Sequence, residues 1–199
     1  MGRSVSFYFD IGSPTSYLAW TQLPDICRRR QATLDYRPVL LGAIFKATGN
    51  QSPAMIPAKG RYLMHDLNRF AHRYGVPFEM NPLFPINTLT VMRVLTGCKL
   101  HDPGRFDDLM ATLYPAMWVE KLNLGDFDTI EALLVERGFD GATLMQWAQD
   151  ENVKQALKTQ TEQAIAKGLF GCPTFFVGDE MFFGQDRLDF VDEALARAD

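Results

Sequence analysis

Short apolar runs near the two ends of the chain predict β-strands. The run SVSFYF at 4–9 is rich in β-branched and aromatic residues and ends at Asp10, as a buried strand would. From Pro14 onward the apolar positions follow helical spacing, and Ser13 stands where a helix is capped. A second strand is predicted at 33–38. Strand, helix and strand in this order indicate a parallel βαβ unit with a right-handed crossover.

The C-terminal part of the chain returns to strand character. Two short apolar runs, 174–177 and 181–183, flank the dipeptide Gly178-Asp179, a combination typical of a β-hairpin with a tight turn. Apolar residues at helical spacing then predict a final helix over the hairpin, marked by Leu188, Val191 and Leu195. The chain therefore ends in a β-β-α unit.

Between these two units, about 100 residues carry apolar positions at helical spacing. The residues that mark these helices are Leu63, Leu67, Phe70, Ala71, Tyr74, Leu89, Met92, Leu95, Leu144, Trp147 and Ala148. The segment 53–59 is expected to be a loop and 106–121 a helix, and a further helix is expected to end at Gly168. Asp128 with Glu131 resembles the capping box at a helix start. The predicted order is β-α-β, a helical insertion, then β-β-α.

The composition indicates a globular chain with a substantial core. The 199 residues are 47% hydrophobic and 22% charged, which excludes a disordered chain or a fibre. This length suits one large domain, or one domain that carries an inserted subdomain. Together with the order of elements, it places the chain in the α/β class.

Charge and hydropathy limit the expected partners and location. A net charge of −4 and a pI of about 5.4 argue against binding to nucleic acid or to an acidic membrane. No run reaches the roughly 18 consecutive apolar residues of a transmembrane helix. The N-terminal MGRSVSFYFDIGSP lacks the apolar region of a signal peptide. We therefore expect a cytoplasmic protein with neither nucleic-acid nor membrane partners.

The three cysteines, Cys27, Cys98 and Cys172, show neither a CxxC motif nor the spacing of metal ligands. Their odd number favours reduced thiols, most of them packed inside the protein. Spacings typical of zinc, calcium or phosphate-binding loops are also missing from the sequence. We therefore expect no metal site.

Three segments resemble the 2-hydroxychromene-2-carboxylate isomerases and the kappa-class glutathione transferases. They are FYFDIGSPTSYLA at 7–19, YRPVLLGAIFKATGN at 36–50 and GLFGCPTFFVGDEMFFGQDRL at 168–188. The resemblance implies a DsbA-like thioredoxin fold, in which 1–45 and 165–199 form the thioredoxin-like domain and 46–164 form a helical insertion domain. It also implies glutathione as the cofactor and a homodimer as the assembly.

Ser13 opens the first helix, where dithiol redox proteins of this fold carry the first cysteine of a CxxC motif. With serines at 13 and 16, this turn holds no sulfur, which excludes disulfide chemistry there. The resemblance implies that the Ser13 hydroxyl is catalytic: it donates a hydrogen bond to the glutathione thiolate and lowers the thiol pKa. The residues alone also allow a simple N-cap role for Ser13, and Ser16 is expected to be structural.

Five positions match glutathione-binding positions of the family. The resemblance implies that Pro173 is cis and that the main chain of Cys172 pairs with the cysteinyl part of glutathione. It implies that Gln185 and Asp186 hold the γ-glutamyl end and that Asn50 makes a further contact. From the residues alone, Asp186 also fits a helix first turn that favours a negative charge, and Asn50 fits a plain turn.

Three side chains are candidates for contact with an aromatic-derived substrate. A lysine is expected near the substrate carboxylate in the isomerases, and Lys46 is the candidate here, although a gapless comparison puts that lysine at Phe45. Tyr62 and Trp118 are candidates for the walls of an apolar cleft. Each has an ordinary alternative, which is a solvated surface for Lys46 and core packing for the two aromatic residues.

The resemblance implies a glutathione-dependent isomerase of aromatic-compound catabolism, which interconverts a cyclic hemiketal carboxylate and an open-chain benzylidenepyruvate. The thiolate would add to the conjugated system, the new single bond would rotate, and elimination would restore the alkene. Two alternatives stay open. A kappa-class-like transferase or peroxidase would consume glutathione, and a thioredoxin-fold binding protein would bind without turnover.

Overall fold

The computed structural model describes residues 2–198, so residues 1 and 199 of the expected domain ranges lie outside the described part. Within it the strands are β1 (Ser4–Phe9), β2 (Thr33–Pro38), β3 (Thr174–Val177) and β4 (Glu180–Phe183). The helices are α1 (Pro14–Arg30), α2 (Leu41–Thr48), α3 (Pro57–Tyr74), α4 (Leu89–His101), α5 (Phe106–Trp118), α6 (Phe127–Glu136), α7 (Gly141–Gln149), α8 (Glu151–Ala166) and α9 (Leu188–Arg197). Short 3₁₀ turns lie at Pro53–Met55, Pro103–Arg105 and Gln185–Arg187.

The strands form a single mixed sheet in the order β2-β1-β3-β4. β1 pairs in parallel with β2, with Phe7 opposite Tyr36, which confirms the predicted βαβ unit. β3 pairs antiparallel with both β1 and β4, which confirms the predicted hairpin. The hairpin turn includes Gly178 at a φ of 58°, a left-handed conformation that glycine adopts without a steric penalty.

The side chains of β1 alternate between two buried clusters. Phe7 and Phe9 belong to the larger cluster, which continues through α1, α4 and α5 into the helical region. Tyr8 belongs to a smaller cluster with Ile44 of α2 and Ala164 of α8. Because successive strand side chains face opposite sides of a sheet, helices cover both faces of β1.

The start of α6 corrects one prediction. The capping residue is Asp126, whose carboxylate accepts a hydrogen bond from the Thr129 N–H at 2.9 Å. Asp128, which the sequence favoured as the cap, lies inside the first turn. Asp126 has the extended backbone of an N-cap residue, with φ −95° and ψ 130°, so the cap lies two residues earlier than the Asp-x-x-Glu pattern indicates.

Two further boundaries differ from the sequence prediction. The expected loop 53–59 contains the 3₁₀ turn Pro53–Met55, and α3 already begins at Pro57, since proline is well suited to the first position of a helix. α5 ends at Trp118, short of the expected Lys121, which has a positive φ of 62°. The helix α2 (Leu41–Thr48) was not predicted from the pattern, whereas the strands and the other helices lie close to their predicted positions.

Candidate active site

A cavity of about 930 Å³, which we call the cleft, opens where the Ser13 turn meets the helical region. This volume lies within the range of roughly 300–1,000 Å³ that is usual for small-molecule sites. The segments that line it are distant in sequence: Gly12–Thr15, Leu41–Phe45, 48–55, Phe84–Ile86, Phe170–Pro173 and Phe183–Asp186. The cleft therefore exists only because the central helical region folds against the sheet.

Ser13 lies in the wall of the cleft at the N-terminus of α1, with only 3% of its surface exposed. Its Oγ accepts a hydrogen bond from the Ser16 N–H at 3.1 Å and therefore caps the helix. The same hydroxyl donates to the Cys172 carbonyl oxygen at 3.1 Å and lies 3.0 Å from the Thr15 Oγ1. Capping uses a lone pair of the oxygen, so the single proton stays available for donation.

Cys172 and Pro173 lie next to Ser13 in the lining of the cleft, and the peptide bond between them is cis. The Cys172 N–H has no acceptor among the described residues, so it is a donor open to a ligand. Burial strongly raises the pKa of the Cys172 thiol, with a smaller contribution from Asp10. A thiol held protonated in this way is a poor nucleophile, so its main chain is better suited than its sulfur to a role in the site.

Asp10 joins three walls of the cleft. Its side chain, in a residue only 2% exposed, accepts hydrogen bonds from the Gly12 N–H at 2.8 Å, the Thr88 hydroxyl at 2.8 Å and the Leu41 N–H at 2.9 Å. Burial raises the pKa of Asp10, and these three hydrogen bonds partly oppose the rise. Asp10 thereby fixes the Ser13 turn relative to the starts of α2 and α4.

The far end of the cleft is formed by the 3₁₀ turn that follows β4. Gln185 is 4% exposed, and its Oε1 accepts a hydrogen bond from the Tyr74 hydroxyl at 2.8 Å. Asp186 lines the cleft with its side chain about half exposed, and it is paired with Arg187. Asn50 lies on the opposite rim and donates from Nδ2 to the Phe170 carbonyl at 2.8 Å. Fixed amides and a carboxylate suit the ends of a peptide ligand.

Comparison with known proteins agrees with this architecture. A family model described as the DSBA-like thioredoxin domain matches residues 4–196. The 2-hydroxychromene-2-carboxylate isomerase of Pseudomonas sp. (strain C18) is 32% identical, and the match covers 98% of this chain and 91% of the relative. This chain belongs to the 2-hydroxychromene-2-carboxylate isomerase family.

Other members and relatives of this isomerase family agree over the same length. The 2-hydroxychromene-2-carboxylate isomerase of Sphingobium xenophagum is 29% identical over 98% of this chain and 99% of the relative. Glutathione S-transferase kappa 1 of Caenorhabditis elegans is 30% identical over 96% and 90% of the two chains. A solved 2-hydroxychromene-2-carboxylate isomerase structure superposes with a TM-score of 0.86 at 28% identity, covering 98% of this chain and 95% of that chain. The expected α/β, DsbA-like thioredoxin fold with helices inserted in its middle is confirmed.

The structure brings six of the predicted site residues together around the cleft: Ser13, Asn50, Cys172, Pro173, Gln185 and Asp186. Ser16, by contrast, is fully buried in the first turn of α1. Within the described residues, no helix is long and apolar enough to cross a membrane, and no group of His, Cys, Asp and Glu side chains is arranged to hold a metal.

None of the three substrate candidates lines the cleft. Lys46 is exposed and does not line it, whereas the preceding Phe45 does. Tyr62 is 62% exposed and borders a separate shallow depression. Trp118 is fully buried, and its Nε1 donates to the Ile11 carbonyl at 2.8 Å. Through this hydrogen bond, Trp118 holds the backbone of the turn that precedes Ser13.

Several cleft residues had no signal in the sequence. Phe84, Ile86 and Phe170 look like ordinary apolar positions of loops, and only the packing of their segments turns them toward one space. Phe45, by contrast, is the position at which the gapless comparison places the isomerase lysine. Asp10 carried one usable signal, because an aspartate directly after a buried strand is rarely left without donors. Its actual partners, Leu41 and Thr88, could not be read from local sequence.

Proposed function

We propose that this protein is a glutathione-dependent isomerase of the 2-hydroxychromene-2-carboxylate isomerase type. The observation that supports it most directly is the buried Ser13 hydroxyl at the N-terminus of α1, in the wall of a cleft of about 930 Å³ and next to Cys172-Pro173. When bound, glutathione supplies a thiolate whose electron pair adds to a conjugated alkene, pushes charge onto the carbonyl oxygen, and is recovered when the S–C bond breaks after rotation.

We propose that Ser13 holds the sulfur and stabilises its anionic form. The N-terminus of α1 carries partial positive charge, which favours a thiolate at that place. A hydrogen bond from the Ser13 hydroxyl favours the same charged form and lowers the thiol pKa. Both effects act before addition and after elimination, when the negative charge is on sulfur.

The remaining cleft residues suit an extended tripeptide. The free Cys172 N–H, next to Pro173, offers a backbone donor to the cysteinyl residue, as in strand addition. Asp186 offers a carboxylate to the γ-glutamyl ammonium, and the Gln185 side chain is held ready by Tyr74. Asn50 lies on the other rim, where it can contact the peptide.

The function is tested by an isomerisation assay with catalytic amounts of glutathione. We expect trans-to-cyclic conversion of a 2-hydroxybenzylidene carbonyl compound that requires glutathione and leaves its concentration unchanged. A Thr159→Ala variant, changed at a partly buried position outside the cleft lining, should retain the wild-type rate. Absence of turnover for both keto acid and ketone substrates, with glutathione bound, would contradict the proposal.

A glutathione transferase activity is the second candidate. Its support is the 30% identity to the kappa-class enzyme from Caenorhabditis elegans over nearly the whole chain. The same Ser13-stabilised thiolate would attack an external electrophile and leave the protein as a conjugate. Stoichiometric loss of glutathione in the assay identifies this outcome.

Assembly and location are further proposals based on the family resemblance. We propose a cytoplasmic homodimer. Exposed apolar side chains at Met55, Ile56 and Tyr62 support a protein–protein contact near the mouth of the cleft. Sedimentation equilibrium tests the dimer, and a monomer across the micromolar range would contradict it.

A further inference from the structure

The part of the cleft beyond Ser13 is apolar. Its wall on the helical side is built from side chains of α2, α3 and the loops before α3 and α4: Phe45, Met55, Leu63, Phe84 and Ile86. Among the described residues that line the cleft, none is Lys, Arg or His, and the charged ones are all acidic: Asp10, Asp66 and Asp186. The space next to the reactive sulfur therefore offers hydrophobic contact and no cation.

Two arginines near the cleft are paired with its acidic side chains. Arg187 pairs with Asp186, and the Arg69 guanidinium lies 3.6 Å from the Asp66 carboxylate. Lys46 is the nearest cation along α2, but its side chain is exposed and its neighbour Phe45 takes the place on the cleft wall. A substrate anion bound against this wall would contact carboxylates and aromatic rings, and no basic side chain of the described cleft lining would pair with it.

The energetic consequence is large. A carboxylate moved from water into an apolar wall without a charged partner loses its hydration and gains little in return. An aromatic ring or an uncharged carbonyl compound loses much less, and stacking on phenylalanine side chains favours it. The carboxylates of glutathione would avoid this problem, because they are at the two ends of the peptide and would lie near solvent at the rims of the cleft.

We propose that the electrophile of this enzyme is an uncharged, conjugated aryl ketone or aldehyde rather than an α-keto acid, with Phe45 as the residue that sets this preference. The inference rests on the proposed function and narrows it. The reaction type is unchanged: a carbon–sulfur bond forms and breaks around a rotation, with no net oxidation. Only the group beside the carbonyl carbon differs, methyl or hydrogen in place of carboxylate.

A matched substrate pair tests this preference. trans-2-Hydroxybenzylidenepyruvate and trans-2-hydroxybenzylideneacetone share the aryl ring and the enone and differ by carboxylate against methyl. We expect wild-type kcat/KM to be at least about 10-fold higher for the ketone, the equivalent of one tight interaction. Binding is measured separately, by calorimetry of the two saturated analogues, benzylpyruvate and benzylacetone, in the presence of glutathione. The saturated analogues cannot react, so this readout does not depend on activity.

Phe45→Lys is the matched gain-of-charge variant. Phe45 is only partly buried on an outer helix, so the variant should fold, and Phe45→Met serves as the uncharged control. A cation beside the electrophile should raise kcat/KM for the keto acid by about 10-fold. Loss of the ring contact should lower kcat/KM for the ketone, so the ratio of ketone to keto acid should fall by more than about 10-fold. Phe45→Met should keep the wild-type order of the two substrates.

The outcomes separate the two proposals. A wild-type preference for the keto acid, or loss of keto acid turnover in Lys46→Met, would overturn the inference while leaving the isomerase proposal intact. Turnover of neither compound with glutathione bound would overturn the isomerase proposal. In that case the calorimetric order still decides the inference, since tighter binding of benzylacetone supports it and tighter binding of benzylpyruvate refutes it.

Discussion

Ser13 has one hydroxyl proton and two oxygens close enough to share it. The proton points to the Cys172 carbonyl at 3.1 Å, and the Thr15 Oγ1 lies 3.0 Å away. The Thr15 hydroxyl itself reaches the Cys172 carbonyl at 3.3 Å. When Ser13 turns its proton to a sulfur, Thr15 can therefore keep that carbonyl satisfied. Thr15 is a positioning residue in this arrangement, because it acts through Ser13.

Thr15→Val keeps the shape of the side chain and removes the second donor to the Cys172 carbonyl. We expect kcat to fall about 3- to 10-fold with little change in the affinity for glutathione, which matches the loss of one hydrogen bond. Steady-state kinetics and calorimetry measure the two quantities. Thr15→Ser should restore kcat, and an equally impaired Thr15→Ser would show that the methyl group, not the hydroxyl, is required.

Asp10→Asn tests the three hydrogen bonds by which Asp10 holds the Ser13 turn against the starts of α2 and α4. Each carboxylate oxygen accepts from a backbone N–H, Gly12 on one side and Leu41 on the other, so an amide must turn its NH₂ toward a donor in either orientation. We expect the free energy of unfolding to fall by about 1–3 kcal/mol. Urea denaturation at neutral pH measures it. Thr88→Val, which removes only a hydroxyl donor, should cost less, and equal stability of Asp10→Asn and wild type would contradict the assignment.

At the scale of elements, an ion pair connects the last residue of α1, Arg30, to Asp192 of α9. Arg30 donates from Nε and a terminal nitrogen to the two oxygens of Asp192 at 2.9 and 2.6 Å. The hydrogen bond from Arg30 holds the pKa of Asp192 below its usual range, with smaller help from the charges of Arg30 and Arg29. The pair therefore fixes the last helix, which packs beside the sheet that carries Pro173.

Asp192→Asn should lower the urea midpoint at pH 7, and the difference from wild type should fade in acid. The folded pKa of Asp192 lies below the unfolded value of about 3.9, so its contribution is complete above that value and is lost as the pH falls through the folded pKa. Midpoints measured across this acidic range test the dependence. The exposed neighbour Asp189→Asn is the control, and a difference that persists unchanged at the acid limit would contradict the ion pair.

At the scale of the whole molecule, the sheet and the helical region share one buried cluster, which includes Phe7, Met92 and Leu134. Where the sheet meets the helical region, the buried side chains of both parts belong to this one cluster. We therefore propose that 1–45 with 165–199 and the insertion 46–164 are topological parts of one cooperative unit, not domains that unfold separately.

Single-tryptophan variants test this cooperativity. Trp20 reports on α1, beside the sheet, while Trp147 reports on α7 in the helical region. We expect the urea transitions of both fluorophores and of the far-ultraviolet circular dichroism to coincide. Two separated midpoints would show that the helical insertion unfolds independently.

The sequence predicts most of this fold because its signals are local. Strand β1 ends at an Asp, α1 begins with a Ser-Pro pair, and Gly178 marks the hairpin, so short stretches specify these elements. The cis bond between Cys172 and Pro173 was expected from the family resemblance rather than from local signals. Local signals therefore predict the strands, the first helix and the hairpin, which are the elements that surround Ser13.

The substrate side of the cleft is harder to predict for a geometric reason. Neighbouring residues on a helix point about 100° apart, so the choice between Lys46 and Phe45 depends on how α2 is rotated, which periodicity alone did not decide. Trp118 has the same spacing whether it lines a cleft or fills a core, and here it is fully buried. Both positions are set by packing between segments distant in sequence.

The most direct test of the proposed chemistry is the thiol pKa of glutathione bound to wild type and to Ser13→Ala. The pKa is followed by the ultraviolet absorbance of the thiolate against pH, at glutathione concentrations that saturate both proteins by calorimetry. A free thiol titrates at about 8.5. We expect the bound value to lie at least about one unit lower in wild type and to return toward the free value in Ser13→Ala, with kcat reduced by roughly 100-fold or more. The same thiol pKa in both proteins would contradict the role assigned to Ser13.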